Sequence, residues 1–96
     1  MPSLTPADAR HAANLSAELA QVLAEAVALS PTPIGRLYSA KAATSARRAG
    51  IAAAYAEIAR SPVAEALAIA DAFRHAAQVS TAAGIAYRAA GGLLDS

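Results

Sequence analysis

The residues best suited to chemistry in this 96-residue chain are two histidines and the acids beside them. His11 follows Asp8 by three positions and His75 follows Asp71 by four, so on a helix each imidazole shares a face with a carboxylate. A metal ion would need three or four such ligands to converge, with no cysteine to help. The two pairs converge only if the first turn of one helix meets the middle of another. Ordinary surface pairing accounts for both without that condition. A pH-sensing role is within the reach of either imidazole, but no other residue singles one out. There is no Gly-x-Ser-x-Gly elbow and no P-loop. Glu18 and Glu25, seven apart on one helix face, stand where solvating charge is expected. The sequence therefore supplies no catalytic, metal-ligating or cofactor-binding set, and it points to function by contact rather than by catalysis.

The basic residues are more concentrated. Arg36, Lys41, Arg47 and Arg48 lie together with no acid among them, which leaves the remainder of a +1 chain at −3. At about 100° per residue, Arg36 and Arg47 fall about 20° apart, as do Lys41 and Arg48, with the second pair about 120–140° round from the first. Such a flank could contact phosphates, with Ser39, Thr44 and Ser45 adding hydrogen bonds. The sequence pI of 8.2 is low for a dedicated nucleic-acid binder. Nucleic-acid binding through these four side chains is the alternative to a protein partner.

Three Ser/Thr-Pro pairs divide the chain into the elements that must position these residues: Thr5-Pro6, Thr32-Pro33 and Ser61-Pro62. Each sets an N-capping hydroxyl before a proline that needs no N–H at the first helical position. Asp8, three residues after Thr5, completes a capping box. The spacing predicts helices over 6–29, 33–60 and 62–90 in one domain spanning 1–96, with a loose tail from 93 to 96. The expected fold is all-α, an up-down-up bundle of three closely packed, alanine-rich helices. Gly50 is a point where the second helix can break, and Gly91-Gly92 should stop the third.

In the first helix Leu15, Leu19, Val22, Ala26 and Leu29 step by 4 and 3, the seam expected to face the bundle, widened by Leu23 and Val27. Arg10, Asn14, Glu18, Gln21 and Glu25 follow on the expected solvent side. In the third helix the expected seam is Ile69, Phe73, Ala76, Ser80, Ala83, Tyr87 and Ala90. Tyr38, Tyr55 and Tyr87 should pack at the core edge with their hydroxyls outward.

Alanine supplies 31 residues, whereas Leu, Ile, Val and Phe together supply 19. Alanine favours helix strongly, but it fills little volume. Long helices with so few core side chains suggest a structural or adaptor subunit completed by another chain, its own copy or a partner protein, and hence an oligomer. Small residues at four-residue spacing, Ala42, Ala46 and Gly50 in one helix and Ala76, Ser80 and Gly84 in another, let helix backbones approach closely. They either pack the second and third helices tightly against each other within the chain or, with Tyr87, form the expected interface with another chain.

Other classes fit less well. Secreted helical-hairpin proteins of this length carry Trp-x-Gly at the central turn, and this chain has no tryptophan. A helix-turn-helix reader needs a polar recognition helix, and Ala52–Ala54 follow Gly50 instead. The N-terminus lacks the basic start and apolar core of a signal peptide, and no stretch is long and apolar enough to span a bilayer, so a cytoplasmic location is expected. The alanine content is compatible with a GC-rich bacterial or phage source.

Overall fold

The computed structural model describes residues 5–94, which form three helices: α1 (Pro6–Ala26), α2 (Pro33–Ile58) and α3 (Pro62–Leu94). All three predicted hydroxyl caps are present. Asp8 N–H donates to Thr5 Oγ1 at 3.1 Å while Thr5 N–H donates back to Asp8 Oδ2 at 3.3 Å. Gly35 N–H donates to Thr32 Oγ1 at 2.9 Å and Ala64 N–H to Ser61 Oγ at 3.1 Å. The helix C-termini differ from expectation. α1 stops at Ala26 because residues 27–29 tighten into a turn, with Ala28 N–H donating to Glu25 O and Ser30 N–H to Val27 O. α2 ends at Ile58 as Ala59 turns extended ahead of Ser61-Pro62. α3 continues through Gly91 and Gly92, since no described glycine adopts the positive φ that would end it. α2 is unbroken at Gly50. Of the expected tail, Asp95 and Ser96 lie outside the described residues.

The bundle is up-down-up, and a polar tie at one end shows it. Arg10 Nη1 donates to Glu65 Oε2 at 2.7 Å and its Nε lies 3.7 Å from Glu57 Oε2, while Asn14 Nδ2 donates to Glu57 Oε1 at 2.9 Å. The start of α1 thus meets the end of α2 and the start of α3. Arg10 and Asn14, expected on the solvent side, instead link all three helices. The Cα envelope measures 50 × 28 × 15 Å, so the molecule is a thin slab. None of its helices, among the described residues, is long and apolar enough to cross a membrane.

The core is built almost wholly of alanine. Ala13 and Ala17 of α1 cluster with Ala49, Ala52 and Ala53 of α2 and Ala72 of α3. Ala20 and Ala24 cluster with Ala42, Ala46, Val79 and Ala82. Val79 is the largest fully buried side chain among the described residues. This displaces the predicted seam of α1: Leu15, Leu19, Val22 and Leu29 are all exposed, whereas Leu23 and Val27, which widened the seam, pack partly against the core. At about 100° per residue the buried alanine line and the leucine line lie about 170° apart on the same helix. Both repeat in steps of 4 and 3, and the small line wins the interior because it lets the backbones close to the near end of the usual 8–10 Å separation. The predicted seam of α3 is displaced in the same sense. Ala83 is buried and Ile69 and Ala76 pack partly, but Phe73, Ser80 and Tyr87 are exposed, and the buried line runs Ala72, Val79, Ala82, Ala86.

Glycine serves two opposite purposes here. At Gly35 an added Cβ would overlap Ser30 Oγ and crowd Thr32 Oγ1 at 2.7 Å, so the glycine makes room for the α1–α2 connector and its cap. Ser30 Oγ is buried there with no hydrogen-bond partner among the described residues. At Gly50 and Gly84 an added Cβ would meet nothing within 4 Å. Gly50→Ala and Gly84→Ala should each raise stability by about 0.5–1 kcal/mol through helix propensity, and Gly35→Ala should lower it by about 2 kcal/mol through overlap and cap loss. Urea titration of the three variants measures this. The alanine core makes a second, less usual prediction. Ala49→Leu, at a position with 0% exposure, should cost about 3 kcal/mol by overpacking, whereas Leu19→Ala should stay within about 0.5 kcal/mol in dilute solution.

Candidate protein-interaction faces

With alanine inside, the large apolar side chains stand outside. Thirteen are exposed among the described residues, including Leu19 at 60%, Tyr55 at 64% and Leu67 at 67%. Folded monomers seldom leave contiguous apolar patches of more than a few hundred Å². Six of them define two faces, Ile51, Tyr55 and Leu67 one and Leu15, Leu19 and Val22 the other.

The first face belongs to α2 and α3. Two grooves run along their shared outer side and meet at Arg48. One, of about 570 Å³, is lined by Tyr38, Lys41, Thr44, Ser45, Arg48, Arg74, Ala77, Gln78, Thr81, Ala82 and Ile85. The other, of about 630 Å³, is lined by Ile51, Tyr55, Leu67, Asp71 and His75 among others. On α3, the residues facing this groove lie about 160° from those facing α1, at about 100° per residue, so α1 covers one side of the α2–α3 layer and leaves the other open. The rim is basic. Lys41 Nζ sits 5.1 Å from the centre of the Tyr38 ring, a cation–π distance. Arg74 pairs with Asp71, which also lies 3.5 Å from His75 Nε2. His75 Nδ1 is 3.1 Å from Gln78 Oε1.

The second face is the outer side of α1, where Leu15, Leu19 and Val22 stand exposed beside Glu18 and Glu25. Among the described residues no ion pair joins Glu18 or Glu25 to Lys41 or Arg48. A smaller groove between α1 and α3 is lined by Leu23, Ala26, Val27, Ser80, Ala83, Gly84 and Tyr87.

The expected interface residues divide accordingly. Ala42 and Ala46 are 0% and 2% exposed and pack within the chain's own bundle, so their surfaces are already used. Gly50 and Ser80 are exposed, Ala76 is partly packed against the core, and Gly84 and Tyr87 line the α1–α3 groove. An added Cβ at Gly84 would meet nothing within 4 Å, so this position is open in the single chain. Tyr55 and Tyr87 are exposed rather than at the core edge, and Tyr38 is half-buried. The four basic residues separate too. Lys41 and Arg48 line the groove, while Arg47 is exposed away from it and Arg36 donates from Nη1 to Pro31 O at 3.2 Å. Arg74, from a different helix, joins Lys41 and Arg48 instead. The signal for it was the seven-residue step Leu67, Arg74, Thr81 along one face of α3. His11 is exposed, and no group of three or more His, Asp or Glu side chains converges among the described residues.

An apolar groove with a cationic rim should take up an aromatic sulfonate dye. Anilinonaphthalene sulfonate is expected to brighten several-fold on the folded protein, and Ile51→Glu should remove most of that gain without changing helicity by circular dichroism.

Comparison of the chain with models of known protein families, with curated proteins and with solved structures gives no match.

Proposed function

We propose that the protein is a non-catalytic interaction module, a structural or adaptor subunit that works by presenting large apolar side chains to another protein surface. One observation carries this reading: the helices pack through alanine while Leu15, Leu19, Ile51, Tyr55 and Leu67 face outward. Leaving a leucine-sized side chain exposed rather than buried forgoes about 1.5–3 kcal/mol, and a partner surface recovers it. Aromatic and aliphatic anchors with arginines close by are the composition typical of an interface centre. The open groove has a largely apolar surface between polar rims, which suits a helix better than a small substrate.

A nucleic-acid reading keeps one supporting observation, that Lys41, Arg48 and Arg74 line a single groove. Its floor is apolar, and Arg74 is already paired with Asp71, which leaves little for a phosphate backbone. A gel shift at low salt comparing the protein with Lys41→Ala/Arg48→Ala decides it; equal mobility shifts would remove the groove from nucleic-acid binding.

Sedimentation equilibrium over a hundredfold concentration range tests the interaction reading. The expected outcome is an average mass that rises with concentration, with helicity unchanged. A constant monomer mass would restrict the reading to partners of a different sequence. Retention of the monomer form by Leu19→Glu and Ile51→Glu under conditions where the native chain associates would tie the association to the exposed faces.

A further inference from the structure

We infer that the occupant of the α2–α3 groove is α1 of a second copy of this chain, so that copies stack head to tail. The inference rests on the interaction reading above and names its partner. Charge complementarity is the first argument. The exposed side of α1 carries Glu18 and Glu25 beside its leucines, and the groove rim carries Lys41 and Arg48. Both pairs are seven residues apart, about 10.5 Å along a helix, so the two acids and the two cations can meet at once.

Register is the second argument. Within the chain α1 and α2 are antiparallel: Ala13 and Ala17 cluster with Ala49 and Ala53, and Ala20 and Ala24 with Ala42 and Ala46, which fits a pairing of 17 with 49, 13 with 53, 20 with 46 and 24 with 42. That register sets Glu18 level with Arg48, Glu25 level with Lys41 and Leu15 level with Ile51, but on opposite faces of the slab. A second copy displaced across the thin dimension, without rotation or axial slip, therefore brings each of these pairs together. The slab is only 15 Å thick in its Cα envelope, so the repeat is short.

Charge also selects against two-fold dimers. Groove on groove would oppose Arg48 to Arg48, and α1 on α1 would oppose Glu18 to Glu25 across the axis. Like charges at such distances disfavour both arrangements. A contact between two different faces is heterologous, and it yields an open stack or, with a small rotation per step, a ring.

Complementation between two variants tests this. Leu15→Glu/Leu19→Glu spoils the α1 face and leaves the groove intact; Ile51→Glu/Leu67→Glu does the reverse. All four positions are more than half exposed, and circular dichroism monitors the fold. The wild-type chain is expected to form assemblies beyond a dimer. Each variant alone should be monomeric, its affinity reduced by about a hundredfold or more. An equimolar mixture should form a 1:1 dimer that does not grow, because only one good face of each kind remains. Either variant associating alone as the wild type does would overturn head-to-tail stacking, as would a mixture that stays monomeric, while the interaction reading would survive. A wild-type chain that is monomeric throughout overturns the second copy as occupant and leaves only a foreign partner. A milder pair guards against misfolding: Glu18→Lys/Glu25→Lys should weaken assembly by about tenfold, and mixing it with Lys41→Glu/Arg48→Glu should restore it.

Discussion

The close approach of helix backbones across alanine is the constraint from which the rest of this structure follows. Ala13, Ala17, Ala20 and Ala24 of α1 face Ala42, Ala46, Ala49 and Ala53 of α2, with Ala72, Val79 and Ala82 of α3 completing the layer. A methyl group buries little area, so each contact contributes a fraction of what leucine would. What alanine permits is proximity, and proximity gives many weak dispersion contacts between backbones. Stability then leans on terms that large cores can neglect. Helix propensity, three hydroxyl caps and the Arg10–Glu57–Glu65 tie all contribute at the scale of about 1 kcal/mol each.

The same constraint decides where the large side chains go. Helices packed through alanine leave little interior volume for large side chains, so α1 turns its alanine line inward and Leu15, Leu19 and Val22 outward, with Leu23 and Val27 packing only partly against the core. α2 and α3 do likewise with Ile51, Tyr55 and Leu67. The outcome is a slab whose two broad faces are apolar in different ways, one a ridge with acids and the other a groove with cations. The surface of this protein is thus organised by what its core cannot hold.

Much of the fold could be read from residues in local order. A hydroxyl-proline pair caps a helix through contacts three residues away, so Thr5, Thr32 and Ser61 marked three starts without reference to anything distant. The helix ends were harder, since Gly91 and Gly92 terminate a helix only when the chain adopts positive φ, and here it does not. The seam of α1 departs from the expected leucine line for a specific reason. Two lines on one helix repeat with the same period, and periodicity cannot say which faces inward; size suggested leucine, whereas backbone approach selected alanine. Among the site residues, Ala42 and Ala46 were identified as close-packing positions, but their partner is the chain's own bundle. Arg74 is not legible from local order because its neighbours in the groove, Lys41 and Arg48, lie on a different helix.

An interior of methyl groups also sets how the protein responds to temperature. The heat capacity of unfolding scales with apolar surface exposed, commonly about 12–15 cal/mol/K per residue. A core in which Val79 is the largest fully buried side chain sequesters less of that surface than usual, so the curve of stability against temperature is flatter. The leucine, isoleucine and tyrosine surfaces that would carry a large heat capacity lie on the outside, where only association hides them. In an assembled state the steep thermal dependence would therefore reside between chains rather than within them, and cooling would loosen the assembly while leaving each three-helix unit folded.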